Sequence, residues 1–282
     1  MDFKRIQLLL LIFFLVFDIY LFQMLLARSE VNSQVTTQIE TTIEEDLSAR
    51  NIRYEELSKE TTTLPLVKAN SSDLLVENLS QLEGQNASIN DRGELISTFN
   101  EAIPLNIGLD RTTETLNEDQ IEQLRANFLS QPSYFIEGTA YDSFRYLPDE
   151  RIISIRMNAY EGRMIADGSA ELRLILDENY NLIQYIQTYQ DHIQPLSTER
   201  NIISERMALE IINQRADTTI PDNSTITRMR QCYYRSSNLE DFDIYSPAWG
   251  IIYRSEDGQS GTVYIDATRG TLIEHRKMDL NI

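Results

Sequence analysis

The sequence predicts an α+β fold: a single N-terminal transmembrane helix, then an extracytoplasmic ectodomain of two α+β subdomains with antiparallel sheets. Three observations predict it. Ile6 to Ala27 is apolar except at Gln7, Asp18 and Gln23. Beyond it, β-rich apolar pieces alternate with Asp, Asn and Gly turns. Only two stretches outside the N-terminal region carry the caps and spacing of a helix.

The 282 residues carry a formal charge of −19 and are 41% hydrophobic. That apolar content supports a packed core and excludes a chain disordered throughout. The acidity argues against nucleic acid, whose phosphates require a basic face. The one cysteine, Cys232, excludes an intrachain disulfide and a cysteine-based zinc site.

Residues 1–5 read as a cytoplasmic tail and 6–27 as the membrane helix. At 1.5 Å per residue the apolar run reaches roughly 33 Å, enough for the hydrocarbon core. Lys4 and Arg5 precede it and acidic residues follow, so the N-terminus faces the cytoplasm. The run is too long for a signal-peptide core, and Leu25-Leu26-Ala27 is a poor cleavage site. An uncleaved signal-anchor is expected. Asp18 costs about 2.5–3.5 kcal/mol at mid-membrane. It and Gln23 are therefore candidate contacts to a second transmembrane helix.

Residues 28–49 read as a helical stalk or linker, with Val31, Val35, Ile39, Ile43 and Leu47 every fourth residue. Residues 50–132 form a first subdomain, with strands at 63–68, 94–99 and 103–107. A helix capped by Asn117 follows and ends before Pro132. Residues 133–282 form a second subdomain. Its expected strands are 134–146, 151–160, 171–176, 182–190, 225–234, 248–254, 261–266 and 271–276. A helix capped by Ser197 or Thr198 should run to about Arg215. Hairpins at 174–183 and 263–273 echo each other, each with an Asp at the turn and an Asn or Gly before the return strand. A shared hairpin grammar explains that echo as well as a duplication does.

Catalytic patterns are missing. There is no G-x-G-x-x-G, phosphate loop, H-E-x-x-H, G-x-S-x-G or S-x-x-K. His192 and His275 stand outside any motif and read as surface or strand-end residues. Residues 177–181 begin like a calcium loop. Leu182 and Thr188 then stand where Gly and Glu are needed, and a hairpin turn is the better reading. Cys232 reads as a small buried hydrophobe. Trp249 has core packing as its default role and an ectodomain interaction as the alternative. No catalytic, cofactor-binding or metal-binding residue is assigned.

The chain starts Met1-Asp2-Phe3-Lys4-Arg5, leads into one membrane helix with a polar residue past its middle, and continues as a cysteine-poor ectodomain. Near its end come Pro247-Ala248-Trp249 and a Tyr264-Ile265-Asp266-Ala267-x-x-Gly270-x-Leu272-Ile273 hairpin. This layout resembles the YycI (WalI) family of Gram-positive bacteria, membrane-anchored regulators of the YycFG (WalRK) two-component system. Asp18 stands where that family has a polar, often Asn-like, residue. The closing hairpin is also similar to PepSY-type domains. The resemblance implies a non-enzymatic protein without cofactor. Its ectodomain would be similar to the later part of YycH. Its partners would be a YycH-like single-pass protein and a sensor histidine kinase of the WalK/YycG type, met in the membrane and outside the cell. The alternative is a PepSY-type ligand-binding or inhibitor module acting on cell-wall enzymes or peptides.

Overall fold

The computed structural model describes residues 13–15, 17–18, 43–110, 112–113, 115–214 and 220–273. Gln23, His275, Arg215, residues 274–276 of the last expected strand and most of the expected membrane helix and stalk lie outside them. Among the described residues no helix is long and apolar enough to cross a membrane.

Two antiparallel sheets carry the fold. The first has strand order β13-β12-β11-β1-β9, with β10 also paired to β11. Its strands are β1 (Thr62–Asn70), β9 (Asp191–Ile202), β10 (Thr225–Asn238), β11 (Phe242–Arg254), β12 (Ser260–Asp266) and β13 (Thr271–Ile273). The second has order β2-β3-β8-β7-β5-β4, with β6 paired to β5. Its strands are β2 (Gln85–Ile89), β3 (Leu95–Pro104), β4 (Tyr141–Leu147), β5 (Ile152–Tyr160), β6 (Arg163–Met164), β7 (Glu171–Leu176) and β8 (Asn181–Gln187). Each sheet draws strands from both sides of residue 132: β1 pairs β9 and β11, and β3 pairs β8.

The sheets share a core. Val67, Ala69, Tyr233 and Tyr245 of the first sheet pack with Ile153, Leu172 and Tyr185 of the second. Burying each such side chain contributes about 1.5–3 kcal/mol. A second core lies under the other part of the first sheet, where Trp249, Ile251 and Ile265 meet a helix at residues 43–49 (α1) and a later amphipathic helix. Ile43 and Leu47, the last two residues of the stripe that recurs every fourth position, are buried there at 5% and 2% exposure.

The helix of the first region forms as its cap predicts. After the short α2 (Leu74–Glu77) and strands β2 and β3, α3 spans Glu118–Leu124 and runs on into a π-helical turn ending at Leu129. Asn117 Oδ1 accepts from Gln120 N and Gln120 Oε1 accepts from Asn117 N, a reciprocal capping box.

Several expected boundaries move. The expected strand at 94–99 and the first two residues of that at 103–107 are one strand, β3, which ends at Pro104; residues 105–107 are not strand. Residues 134–140 turn instead of extending. A side chain at Gly138 would collide with the Leu129 carbonyl, and Glu137 is left-handed at φ 48°. The helix expected from Ser197 starts later. Residues 191–202 are captured as β9 by the edge of β1, from Thr62↔Ile202 to Asn70↔Asp191. Ser204 then caps α4 (Glu205–Asn213), its side chain accepting from Met207 N at 3.2 Å. In the 177–181 turn the left-handed residue is Tyr180, at φ 61°. Asp177 Oδ1 accepts from the backbone N–H of Asn179 and Asn181, and its Oδ2 from the Asn181 amide. The turn itself occupies both carboxylate oxygens.

Candidate functional site

The sequence-nominated residues do not gather at one site. Phe13, Phe14, Leu15, Phe17 and Asp18 are helical and exposed. The rings of Phe13 and Phe17 stack at 6.4 Å. Trp249 is buried at 5% exposure, and its indole N–H donates to the Ile203 carbonyl at 2.8 Å. It ties β11 to the residues just before α4. Cys232 is fully buried, with its Sγ 3.6 Å from the Ala248 carbonyl, and burial pushes the thiol up to about 12. His192 is exposed at the start of β9 and 2.8 Å from Asp191.

Among the described residues no three His, Cys, Asp or Glu side chains group as metal ligands. The melting temperature of the full chain in detergent is expected to be unchanged by EDTA or by a reductant. A shift of several degrees with EDTA would instead locate a cation among the carboxylates.

Two polar constellations stand out in the structure. The first lies where the sheets meet. Glu171 on β7 accepts from Ser154 at 2.5 Å and from Arg156 Nε at 3.1 Å, with Arg173 at 3.6 Å. Burial alone would push the Glu171 carboxyl up, but the two guanidiniums outweigh it and hold the group below the usual carboxylate range. Arg156 reaches on to the Tyr264 hydroxyl at 3.5 Å. That ring lies over Gly250, where a Cβ would meet Tyr264 Cε1 at 3.2 Å.

Beside this ion pair opens a cleft of about 640 Å³ between β4 and one face of the first sheet. Successive strand side chains point to opposite faces, so Arg228 and Arg230 share a face of β10. The register sets them opposite Ile252 and Gly250 on β11, which in turn face Thr262 and Tyr264 on β12. Arg145 enters from β4 and donates to Thr262 Oγ1 at 3.2 Å. Arg254 lines the same space, as do Asp149 and Glu150. Burial, and after it the charge of Arg156, holds both the Arg145 and Arg230 guanidiniums below the usual arginine range.

The second constellation borders another cleft, of about 900 Å³. Asp167 and Asp243, with side chains 4% and 2% exposed, share Arg235, at 3.3 Å and 3.1 Å. Ser169 donates to Asp167 at 2.6 Å and contacts the Tyr245 hydroxyl at 2.7 Å, while Asn238 and Gln190 donate to Asp243. Burial, working against the Ser169 hydrogen bond and the Arg235 charge, raises the Asp167 carboxyl above its usual range.

None of these arginines was a candidate on sequence grounds. The signal available was the Arg228-x-Arg230 alternation on an expected strand in a strongly acidic chain.

A family model described as "YycI protein" matches residues 30–268. No curated protein matches the chain. Among solved structures, the chain is similar to an uncharacterized protein from Eubacterium rectale ATCC 33656, with 11% identity, 83% of this chain and 99% of that one covered, and a TM-score of 0.38. It is also similar to the Bacillus megaterium YpeB C-terminal domain, with 8% identity, coverage of 84% and 94%, and a TM-score of 0.34.

Proposed function

The chain belongs to the YycI family, associated with regulation of the YycFG two-component system, and on that premise we propose that it is a non-enzymatic regulator of a membrane sensor histidine kinase. The family match over residues 30–268 carries this reading. In the proposal, residues 6–27 span the membrane, with the N-terminus in the cytoplasm and the two-sheet body outside. The apolar helix meets a transmembrane helix of the kinase or of a YycH-like single-pass partner. The ectodomain adds contacts outside the membrane.

Asp18 and Gln23 are the proposed helix contacts. Asp18 stands exposed on a helical surface shared with Phe13, Phe14, Leu15 and Phe17, which are 65%, 55%, 54% and 46% exposed. A lone carboxyl on such a surface is costly in lipid unless a partner hydrogen-bonds it. Interhelical hydrogen bonds contribute about 0.6 kcal/mol on average and seldom more than roughly 2. One residue therefore tunes association and does not create it.

Asp18→Leu is expected to insert at least as well as wild type, yet to co-purify less with the kinase or the YycH-like partner. Asp18→Asn should be milder, because the amide keeps hydrogen-bonding capacity. Unchanged association and signalling in a normally inserted Asp18→Leu protein would move the contact to Gln23 or the apolar faces. Replacing residues 1–28 with an unrelated membrane span tests the wider reading. Retained kinase association and regulation would place the function in the ectodomain.

A further inference from the structure

The arginine cleft between the sheets is unusual in a chain of net charge −19. Several arginines elsewhere in the fold meet carboxylates: Arg50 with Asp222, Arg125 with Asp142, Arg163 with Glu161, Arg206 with Glu44 and Glu210. Arg145 and Arg230 do not. Among the described residues neither has a carboxylate within ion-pair distance, and the one hydrogen bond of Arg145 goes to the Thr262 hydroxyl. Arg228, exposed at the rim, likewise has no ion-pair partner among them. Asp149 and Glu150 border the opening, but both are exposed.

We infer that this cleft binds a phosphomonoester, its phosphate among Arg145, Arg228 and Arg230 and its organic body against Leu147 and Ile252. The volume, about 640 Å³, suits a small organic ligand. Guanidinium forks match oxyanions with paired hydrogen bonds. A phosphomonoester carries a charge of about −1.5 to −2 at neutral pH and three acceptor oxygens. It therefore answers several converging arginines better than one carboxylate does. Ser260 supplies a hydroxyl in the same lining. The low dielectric that holds Arg145 and Arg230 below the usual arginine range would strengthen their pairing with an anion.

The test is calorimetric titration of the full chain in detergent, without kinase, so that its outcome is independent of the partner contact proposed above. The probes are phenyl phosphate, inorganic phosphate, benzoate and hexaglutamate. Phenyl phosphate is expected to bind saturably at one site, inorganic phosphate more weakly for want of an apolar body, and benzoate weakest. Arg228→Gln and Arg230→Gln should each weaken phenyl phosphate at least tenfold. Arg200→Gln, the same charge change at an exposed position on β9, should leave it unaltered. If Arg230→Gln fails to fold, the exposed Arg228→Gln still reads the site. Absence of saturable binding, equal loss in Arg200→Gln, or benzoate binding as tightly as phenyl phosphate overturns the inference. Preference for hexaglutamate also overturns it and gives the cleft to an acidic segment of a protein partner.

Discussion

Glu171→Gln is expected to destabilise the fold by about 3–5 kcal/mol, the cost of leaving a buried charge without its partner. The Glu171 side chain is 7% exposed and that of Arg156 is 11% exposed, with 3.1 Å between them. The amide keeps the size and can still accept from Ser154, so lost packing does not explain the effect. What is lost is the negative charge that balances Arg156 and Arg173. Chemical denaturation of wild type and variant at neutral pH measures the difference. The sign of the pH dependence follows from the Glu171 carboxyl, which is held below its unfolded value near 4.5. A carboxyl lowered on folding contributes stability that is present above its unfolded pKa and lost as pH falls through its folded pKa. The wild-type advantage should therefore be full at neutral pH and shrink on strong acidification. A difference under about 1 kcal/mol at neutral pH would mean that water or a mobile acidic group already screens Arg156.

The same pair shows what was legible in the sequence. Three local signals were legible. The Asn117 cap, the Asp177 turn and the Asp266 turn all act within five residues, and the side chains make the bonds their chemistry suggests. At Asp266, Oδ1 accepts from the N–H groups of Thr268 and Arg269. Non-local pairing was not legible. Nothing near residue 197 announces that 191–202 will lie against β1, far earlier in the chain, so Ser197 and Thr198 read as caps. The cleft is the extreme case. Arg145 reaches Thr262 across 117 residues of sequence, and only the meeting of two sheets brings them together. Trp249 was legible as a large apolar residue on a strand. Its hydrogen bond to Ile203 depends on where α4 begins, which the sequence placed too early.

Arg235→Leu is expected to cost about 1–3 kcal/mol at neutral pH and distinctly less in acid, less than breaking a fully buried pair would, because the Arg235 side chain is 38% exposed. Asp167 and Asp243 lie almost fully buried on either side of this guanidinium. Asp243 keeps donors in Asn238 and Gln190, whereas Asp167 keeps only Ser169. The Asp167 Oδ2 atom pairs with Arg235 by charge, without an aligned hydrogen bond. Its carboxyl is already raised above 3.8 with Arg235 present, and losing that cation raises it further. A group raised on folding contributes stability that is fully present below its unfolded pKa and lost as pH rises through its folded pKa. The Asp167 part of the variant's deficit should therefore vanish below about pH 3.8 and grow as the pH climbs above it. Glu171 acts in the opposite direction in both proteins, so it cancels in the difference between them. Adding Asp167→Asn to Arg235→Leu should restore part of the lost stability at neutral pH, because it removes the stranded charge and keeps the shape. Denaturation curves of the three proteins at several pH values decide the matter. A deficit independent of pH, or no recovery in the double variant, would show that Arg235 acts through packing of its aliphatic stem and not through the buried carboxylates.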